Sequence, residues 1–276
     1  MKPLTFKVEP GTTVNLAEYD TRYDAGLDKA QAERDFPALT QQLDDLQELL
    51  FAAGTHSVLV VLQGMDTSGK DGTIRSVFSR IHPLGAQTVS FKVPTAEELG
   101  HDFLWRIHRQ TPQKGQLTIF NRSHYEDVLV VRVHNLVAEA IWQKRYRMIN
   151  DFEYLLTQQQ TIVLKFFLHI SKQAQEERLL AREQAVEKAW KLAVGDWQER
   201  AFWDDYQGAY ADALGRCSTE DAPWHIVPAD RKWYRNTAIA TTIIAALQPY
   251  KPIWLERLAK IGATAKAELT AFREMQ

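Results

Sequence analysis

Ten residues, Gly64-Met65-Asp66-Thr67-Ser68-Gly69-Lys70-Asp71-Gly72-Thr73, follow directly on the apolar run Ser57-Val58-Leu59-Val60-Val61-Leu62. They fit the spacing G-x-x-x-x-G-K in the context it requires, a strand, then a glycine loop, then a helix. Gly64 and Gly69 let the backbone turn so that successive amide N–H groups converge on phosphate oxygens, with Thr67, Ser68, Gly72 and Thr73 around them. Lys70 neutralises charge, and the helix that follows adds its positive end. The chemistry is the binding of a polyanion that ends in phosphates. Asp71 stands where such loops usually carry the Ser or Thr whose hydroxyl meets Mg²⁺, and a carboxylate is not a neutral donor, so the metal is expected to be held differently. Asp66 is the candidate metal ligand, because Mg²⁺ favours one or two carboxylates together with waters and phosphate oxygens.

A second cluster, Phe120-Asn121-Arg122-Ser123-His124-Tyr125-Glu126-Asp127-Val128, ends another apolar run. In phosphate-loop folds this strand end faces the phosphates and commonly carries a carboxylate. Asn121 replaces it here, an amide that orients a metal-bound water or accepts from Lys70 without adding negative charge. Arg122 reads as a clamp on the transferred phosphoryl or as a surface ion pair. Glu126 reads as a second carboxylate of the site or as a charge at a helix N-terminus, with Asp127 beside it. The eight histidines show no metal-ligand spacing, His101 and His108 lying seven apart. Trp197, Trp203, Tyr206 and Tyr210 read first as helix packing and second as a stacking surface for a base.

The elements that must position these groups alternate. Short apolar runs at 57–62, 88–93, 117–120, 161–170 and 224–227 predict five strands. Helical periodicity at 31–51, 73–81, 96–109, 139–157, 232–247 and 253–272 predicts the helices between and around them. This is an α/β pattern, a five-stranded parallel sheet with right-handed crossovers between two helical layers. A charged segment at 171–214 is too long for a simple crossover and reads as a helical lid. The whole chain, 1–276, reads as one domain with an N-terminal extension and helix (1–55), that lid, and a C-terminal helix (252–276).

Composition narrows the partners. The 276 residues are 45% hydrophobic and 25% charged, with 13 Gly and 10 Pro, which excludes disordered and fibrous classes. The single cysteine, Cys217, excludes an intrachain disulfide and thiolate zinc sites. The net charge of -2 does not suggest nucleic-acid binding, yet residues 51–150, where the motifs lie, hold 12 Lys and Arg against 8 Asp and Glu. No stretch is apolar enough to span a bilayer and the start lacks the apolar core of a secretory signal, so a cytoplasmic protein with no membrane partner is expected.

At its two motifs the chain resembles the polyphosphate kinase 2 family. GMDTSGKDGT matches that family's loop form G-x-D-x-x-G-K-x-G, and FNRSHYEDVLVVRVH resembles the second motif of the branch (class III) that phosphorylates both nucleoside mono- and diphosphates. Lys188-Ala189-Trp190-Lys191, Asp196, Glu199-Arg200, Trp203-Asp204, Ala222-Pro223-Trp224 and Pro228-Ala229-Asp230 extend the likeness over roughly 20–250. The resemblance implies a P-loop kinase fold with a helical lid and Mg²⁺-dependent transfer from inorganic polyphosphate to AMP and ADP, giving ADP and ATP, often in a homotetramer. It implies Asp66 and Lys70 as loop catalytic residues, Asn121 and Arg122 as the second-motif pair, and Arg178, Arg182 and Lys191 as lid cations near phosphate. Ala185-Val186 departs from the Asp-Pro usual before the lid Trp-Lys. A polyphosphate chain needs a row of cations. Arg75 and Lys92 head the candidates because they follow the loop and the second strand, ahead of Arg80, Arg106, Arg109 and Arg132. Two other readings stay open, an ATP-dependent nucleotide kinase of thymidylate kinase type and a non-catalytic phosphate-binding module. Which phosphate the loop grips, that of the nucleotide or the polyphosphate end, stays open too.

Overall fold

The computed structural model describes residues 2–184 and 194–275, and among these six strands form one sheet. They are β1 (Phe6–Lys7), β2 (Ser57–Gln63), β3 (Ala86–Ser90), β4 (Leu117–Asn121), β5 (Thr161–His169) and β6 (Trp224–Pro228), in the order β1-β6-β5-β2-β4-β3. All five strands from β2 to β6 run parallel, as expected. The sixth is a correction to the five-strand reading. Only two residues long, β1 pairs antiparallel with β6 through Phe6 and Ile226, and a pattern that short carries no periodicity to read.

Helices α1 (Lys29–Ala53), α2 (Lys70–Val77), α3 (Ala96–Leu99), α4 (Trp105–His108), α5 (Val130–Val133), α6 (Glu139–Gln158), α7 (Lys172–Gln184), α8 (Val194–Glu199), α9 (Trp203–Arg216), α10 (Lys232–Leu247) and α11 (Lys251–Glu274) complete the described chain. α10 packs on α1, α2, β5 and β6, whereas α6 packs on β5 and, with α9, against α5. The result is the three-layer P-loop kinase-like sandwich, with β2 at its centre and all seven of its residues buried. A continuous Val/Leu run is what a strand covered on both faces requires.

Three local differences have physical causes. The stretch expected as one helix over 96–109 is two short ones, because Gly100 caps α3 and the Asp102 side chain accepts from the Leu104 N–H at 2.9 Å, a turn that competes with the helix. α2 starts at Lys70 rather than at 73, directly on the loop. Strand β3 ends at Ser90, before the Pro94 that disfavours further pairing. Within the expected lid segment, α9 buries Trp203, Tyr206 and Tyr210, as helix packing predicts. α11 buries only Trp254.

Candidate functional site

Three parallel strands deliver the site. β4 and β5 flank β2, so their C-terminal ends share one edge with the loop that leaves Gln63, the place where sheets of this order form a crevice. The loop turns through left-handed conformations at Thr67 (φ 63°) and Gly69 (φ 107°). A side chain at Gly64 would meet the Leu168 carbonyl at 2.7 Å and Ser68 Oγ at 2.8 Å, and one at Gly69 would run into the guanidinium of Arg235, so both positions require glycine. The hydroxyls of Thr67, Ser68 and Thr73 are buried and have no hydrogen-bond partner among the described residues. Three orphan donors around a single loop are the signature of a cradle built for an acceptor-rich anion.

Lys70 is buried, and its Nζ donates to the Gly64 and Met65 carbonyls at 2.7 and 3.2 Å. Burial, and after it the charge of Arg122, brings its pKa down to about 8 against the pull of Asp66, Glu126 and Asp71. Arg122, at the end of β4, adopts φ 62°, a strained conformation for a non-glycine residue. Its Nη2 pairs with Asp66 Oδ1 at 2.6 Å and its Nη1 lies 3.6 Å from Glu126 Oε2. Burial opposes the Arg122 charge, but Glu126 and Asp66 outweigh it and hold its pKa above the ordinary value. Glu126 itself is pushed upward by burial, with Arg122 and Lys70 pulling back. Asp66, Arg122 and Glu126 line a cleft with Gly64, Tyr206 and Tyr210. Loop and second motif therefore meet at neighbouring strand ends.

Other candidates fall differently. Asn121 does not meet Lys70; its amide donates to Asp71 Oδ1 at 2.9 Å, so the residue that departs from the usual Ser/Thr ties the loop helix to β4. Arg75 and Lys92 are exposed on the loop helix and after β3. Asp127 turns away from the cleft to Arg145 at 2.9 Å, and burial lifts its pKa to about 6 in spite of that partner. Arg132 is engaged by Asp212 at 2.6 Å and lies over the Trp142 ring. Arg182 pairs with Asp196 at 2.9 Å. Arg178 points at the loop, but at its back: Nη1 donates to the Thr67 and Ser68 carbonyls at 2.9 and 3.0 Å, and Nη2 to those of Ala229 and Asp230. Lys191 lies outside the described residues, as do Ala185-Val186 and Lys188-Ala189-Trp190.

Sequence reasoning missed several contributors. Gln175 Nε2 donates to the Asp66 carbonyl at 3.1 Å, fixing the loop to α7. Glu199 accepts from Tyr206 at 2.7 Å and pairs with His134 at 3.0 Å on the cleft wall. Arg235 reaches the Ser68 carbonyl from α10. Its one sequence signal was a cation three and four positions before Ala238 and Ile239, on the apolar face of its helix.

The family model described as polyphosphate kinase 2 matches residues 26–253. The AMP/ADP-polyphosphate phosphotransferase of Meiothermus ruber is 49% identical over 247 residues, 88% of this chain and 92% of that protein. The ADP-polyphosphate phosphotransferase of Rhodopseudomonas palustris is 42% identical, covering 91% of each chain. Among solved structures, polyphosphate kinase 2 from Arthrobacter aurescens superposes with a TM-score of 0.85 at 44% identity over 88% of each chain.

Proposed function

Since the chain belongs to the polyphosphate kinase 2 family, we propose that it moves the terminal phosphoryl of inorganic polyphosphate to AMP and to ADP, giving ADP and ATP. The observation that carries the reading is the loop at the end of β2, with three unpartnered buried hydroxyls and Lys70, opening onto the Arg122 pair of the second motif. The names of the relatives that match over nine-tenths of their length supply donor and acceptors.

In the transfer, an acceptor phosphate oxygen forms a bond to the terminal phosphorus as the bridging P–O bond breaks, and the polyphosphate leaves one unit shorter. Such a reaction asks for alignment and charge neutralisation rather than covalent help. Gly64, Thr67, Ser68, Gly69, Gly72 and Thr73 hold phosphate oxygens. Lys70 and Arg122 supply positive charge where it develops on the moving group, and Arg75 and Lys92 extend the row of cations outward. Glu126 and Asp66 hold the Arg122 guanidinium in its place over the cleft. Asn121 fixes the start of the loop helix through Asp71.

The donor set fits Mg²⁺ bound largely through substrate. Among the described residues no three His, Cys, Asp or Glu gather as a cage, and Asp66 in the loop, with Glu126 across the same cleft, offers the one or two carboxylates that this ion favours. When bound there, the ion neutralises phosphate charge. The reading includes a cytoplasmic, homotetrameric enzyme. The exposed apolar side chains of α11, Ile261, Leu269 and Phe272 among them, support self-association, and among the described residues no helix is long and apolar enough to cross a membrane.

The test is an ATP-free incubation with Mg²⁺, AMP and long-chain polyphosphate, resolving ADP and ATP over time beside Lys70→Ala. ADP followed by ATP from the wild type alone is expected. Turnover only once ATP is supplied would replace the reading with an ATP-dependent nucleotide kinase.

A further inference from the structure

Against the phosphate loop, outside the residues that line the cleft, lies a cation for which no described carboxylate serves as counter-charge. Arg235 of α10 is 2% exposed. Its Nη1 donates to the Ser68 carbonyl at 3.2 Å, and Nε and Nη2 donate to Asn236 Oδ1 at 3.1 and 2.8 Å. No described carboxylate forms an ion pair with it, and its charged neighbour is another guanidinium, Arg178, which holds the same Ser68 carbonyl at 3.0 Å. Burial, reinforced by Arg178, pulls the Arg235 pKa down to about 9, the direction expected when nothing nearby offsets the charge.

Geometry says what this arrangement does for the loop. In a trans peptide the carbonyl and the following N–H point opposite ways, so two arginines that hold the Ser68 carbonyl turn the Gly69 N–H away from themselves. The guanidinium also fills the space a side chain at Gly69 would need, and at Gly72 a Cβ would come within 3.4 Å of Nη2. Arg235 therefore shapes the turn that starts α2. A buried charge with no partner is costly to a fold, and such a residue persists when something bound to the native state offsets it.

We infer that Arg235 is a positioning residue of the phosphate loop, kept at the expense of the ligand-free fold: it sets the Ser68–Gly69 peptide and places behind it a positive charge that a bound polyanion offsets. The inference rests on the reading of this loop as the phosphate site. It separates Arg235 from an ordinary structural arginine, whose removal lowers stability with or without ligand.

The experiment titrates wild type, Arg235→Met and Arg235→Lys with inorganic tripolyphosphate by calorimetry, and melts each with and without it. Without ligand, Arg235→Met is expected to melt at or above the wild-type temperature, since methionine fills similar space without the charge. It is expected to bind tripolyphosphate about tenfold or more weakly and to lose most of the ligand-induced rise in Tm. Arg235→Lys, which keeps the charge but not the planar fork, falls between the two. In turnover, KM for polyphosphate rises by a similar factor while kcat moves less than about threefold. A methionine variant that binds as tightly as wild type overturns the inference and leaves the loop reading intact. One that melts lower or fails to fold also overturns it, because the guanidinium would then be supporting the free fold. Wild type that does not bind tripolyphosphate removes the loop reading and this inference together.

Discussion

Two lysines lie buried in the same sheet sandwich, and their surroundings are opposites. Lys165 on β5 donates to Glu153 Oε2 and the Cys217 carbonyl, each at 2.5 Å, and to Tyr125 Oη at 2.9 Å. Glu153 in turn accepts from Tyr125 at 2.8 Å and pairs with His124 at 3.1 Å. Burial opposes the Glu153 charge, yet Lys165 and His124 outweigh it and hold the carboxyl below its usual range. Among the described residues Lys70 donates to two loop carbonyls, and although Asp66, Glu126 and Asp71 pull on its charge, burial and Arg122 outweigh them, with three unpartnered hydroxyls along the same loop. One cluster satisfies its charge within the chain. The other leaves it for a ligand. Both hold the second motif: the first fixes His124 and Tyr125 against α6 and β5, and that rigid base carries Arg122 and Glu126 into the cleft.

The sharpest way to break the contrast is to remove each lysine. Lys165→Ala strands Glu153 in the core and is expected to cost about 3–5 kcal/mol of stability, the range for breaking a buried pair from one side. Denaturant unfolding reads it, and a loss below about 1 kcal/mol would show that the cluster is not the structural base described. Lys70→Ala is expected to do the reverse, lowering turnover by about 10² to 10³ while leaving the ligand-free unfolding midpoint unchanged or higher. Near-normal rates, or a collapse in stability, would erase the difference between the two sites.

How far the sequence revealed each region follows from how local its determinants are. Gly64 to Thr73 was legible because glycine spacing, lysine and the preceding Val/Leu run lie within a dozen residues, and β2 is central as that run requires. The placement of Asn121 and Arg122 was legible because a parallel strand that pairs with β2 must end beside the loop, whereas the Asn121 partner, Asp71, was not. The partners of Asp127, Arg132 and Arg182 were not, since Arg145, Asp212 and Asp196 are set by which helices face each other, and long side chains select partners only once that is fixed. The Lys165 cluster was equally hidden: a lysine inside an apolar run reads as an interruption until Glu153 of α6 is placed over it. The resemblance alone gave Arg178 as a lid cation near phosphate, and in the structure its guanidinium donates to four carbonyls that no sequence pattern specifies.

Titration sharpens the same comparison with a smaller effect. A folded pKa of about 8 for Lys70, below its unfolded value of 10.5, means the unfolded chain binds more protons between those limits. Stability of the ligand-free protein then gains from Lys70 as pH rises from about 8 toward 10.5, and Lys70→Met should lose that gain. Activity runs the other way. The charged form is the one that meets phosphate, so kcat/KM should fall roughly tenfold per pH unit above about 8. The limb of kcat should lie further alkaline, because bound phosphate stabilises the ammonium. For stability, Glu153 has the same sign in an acidic window, its lowered pKa giving stability that is fully present above the unfolded value and is lost as pH falls through the folded one. A kcat/KM profile that is flat from pH 7 to 10 would remove Lys70 from the charge-bearing role.

The smallest effect concerns the bridge between the motifs. Asn121 Nδ2 donates to Asp71 Oδ1 at 2.9 Å on the exposed rim of the loop. Asn121→Asp replaces that donor with a second carboxylate at the same distance, and like charges at a solvated rim repel by about 1 kcal/mol. One aspartate must swing away, and α2 loses its tie to β4. Turnover should fall only about three- to tenfold, with the AMP and ADP reactions affected alike if the bridge acts on the loop and not on the acceptor. Asp71→Asn, which keeps a side-chain oxygen as acceptor for the Asn121 amide, should stay within about twofold of wild type. A change in the AMP-to-ADP rate ratio in Asn121→Asp alone would instead place this residue at the acceptor phosphate, and the neutral amide would then be part of how the site admits two acceptors of different charge.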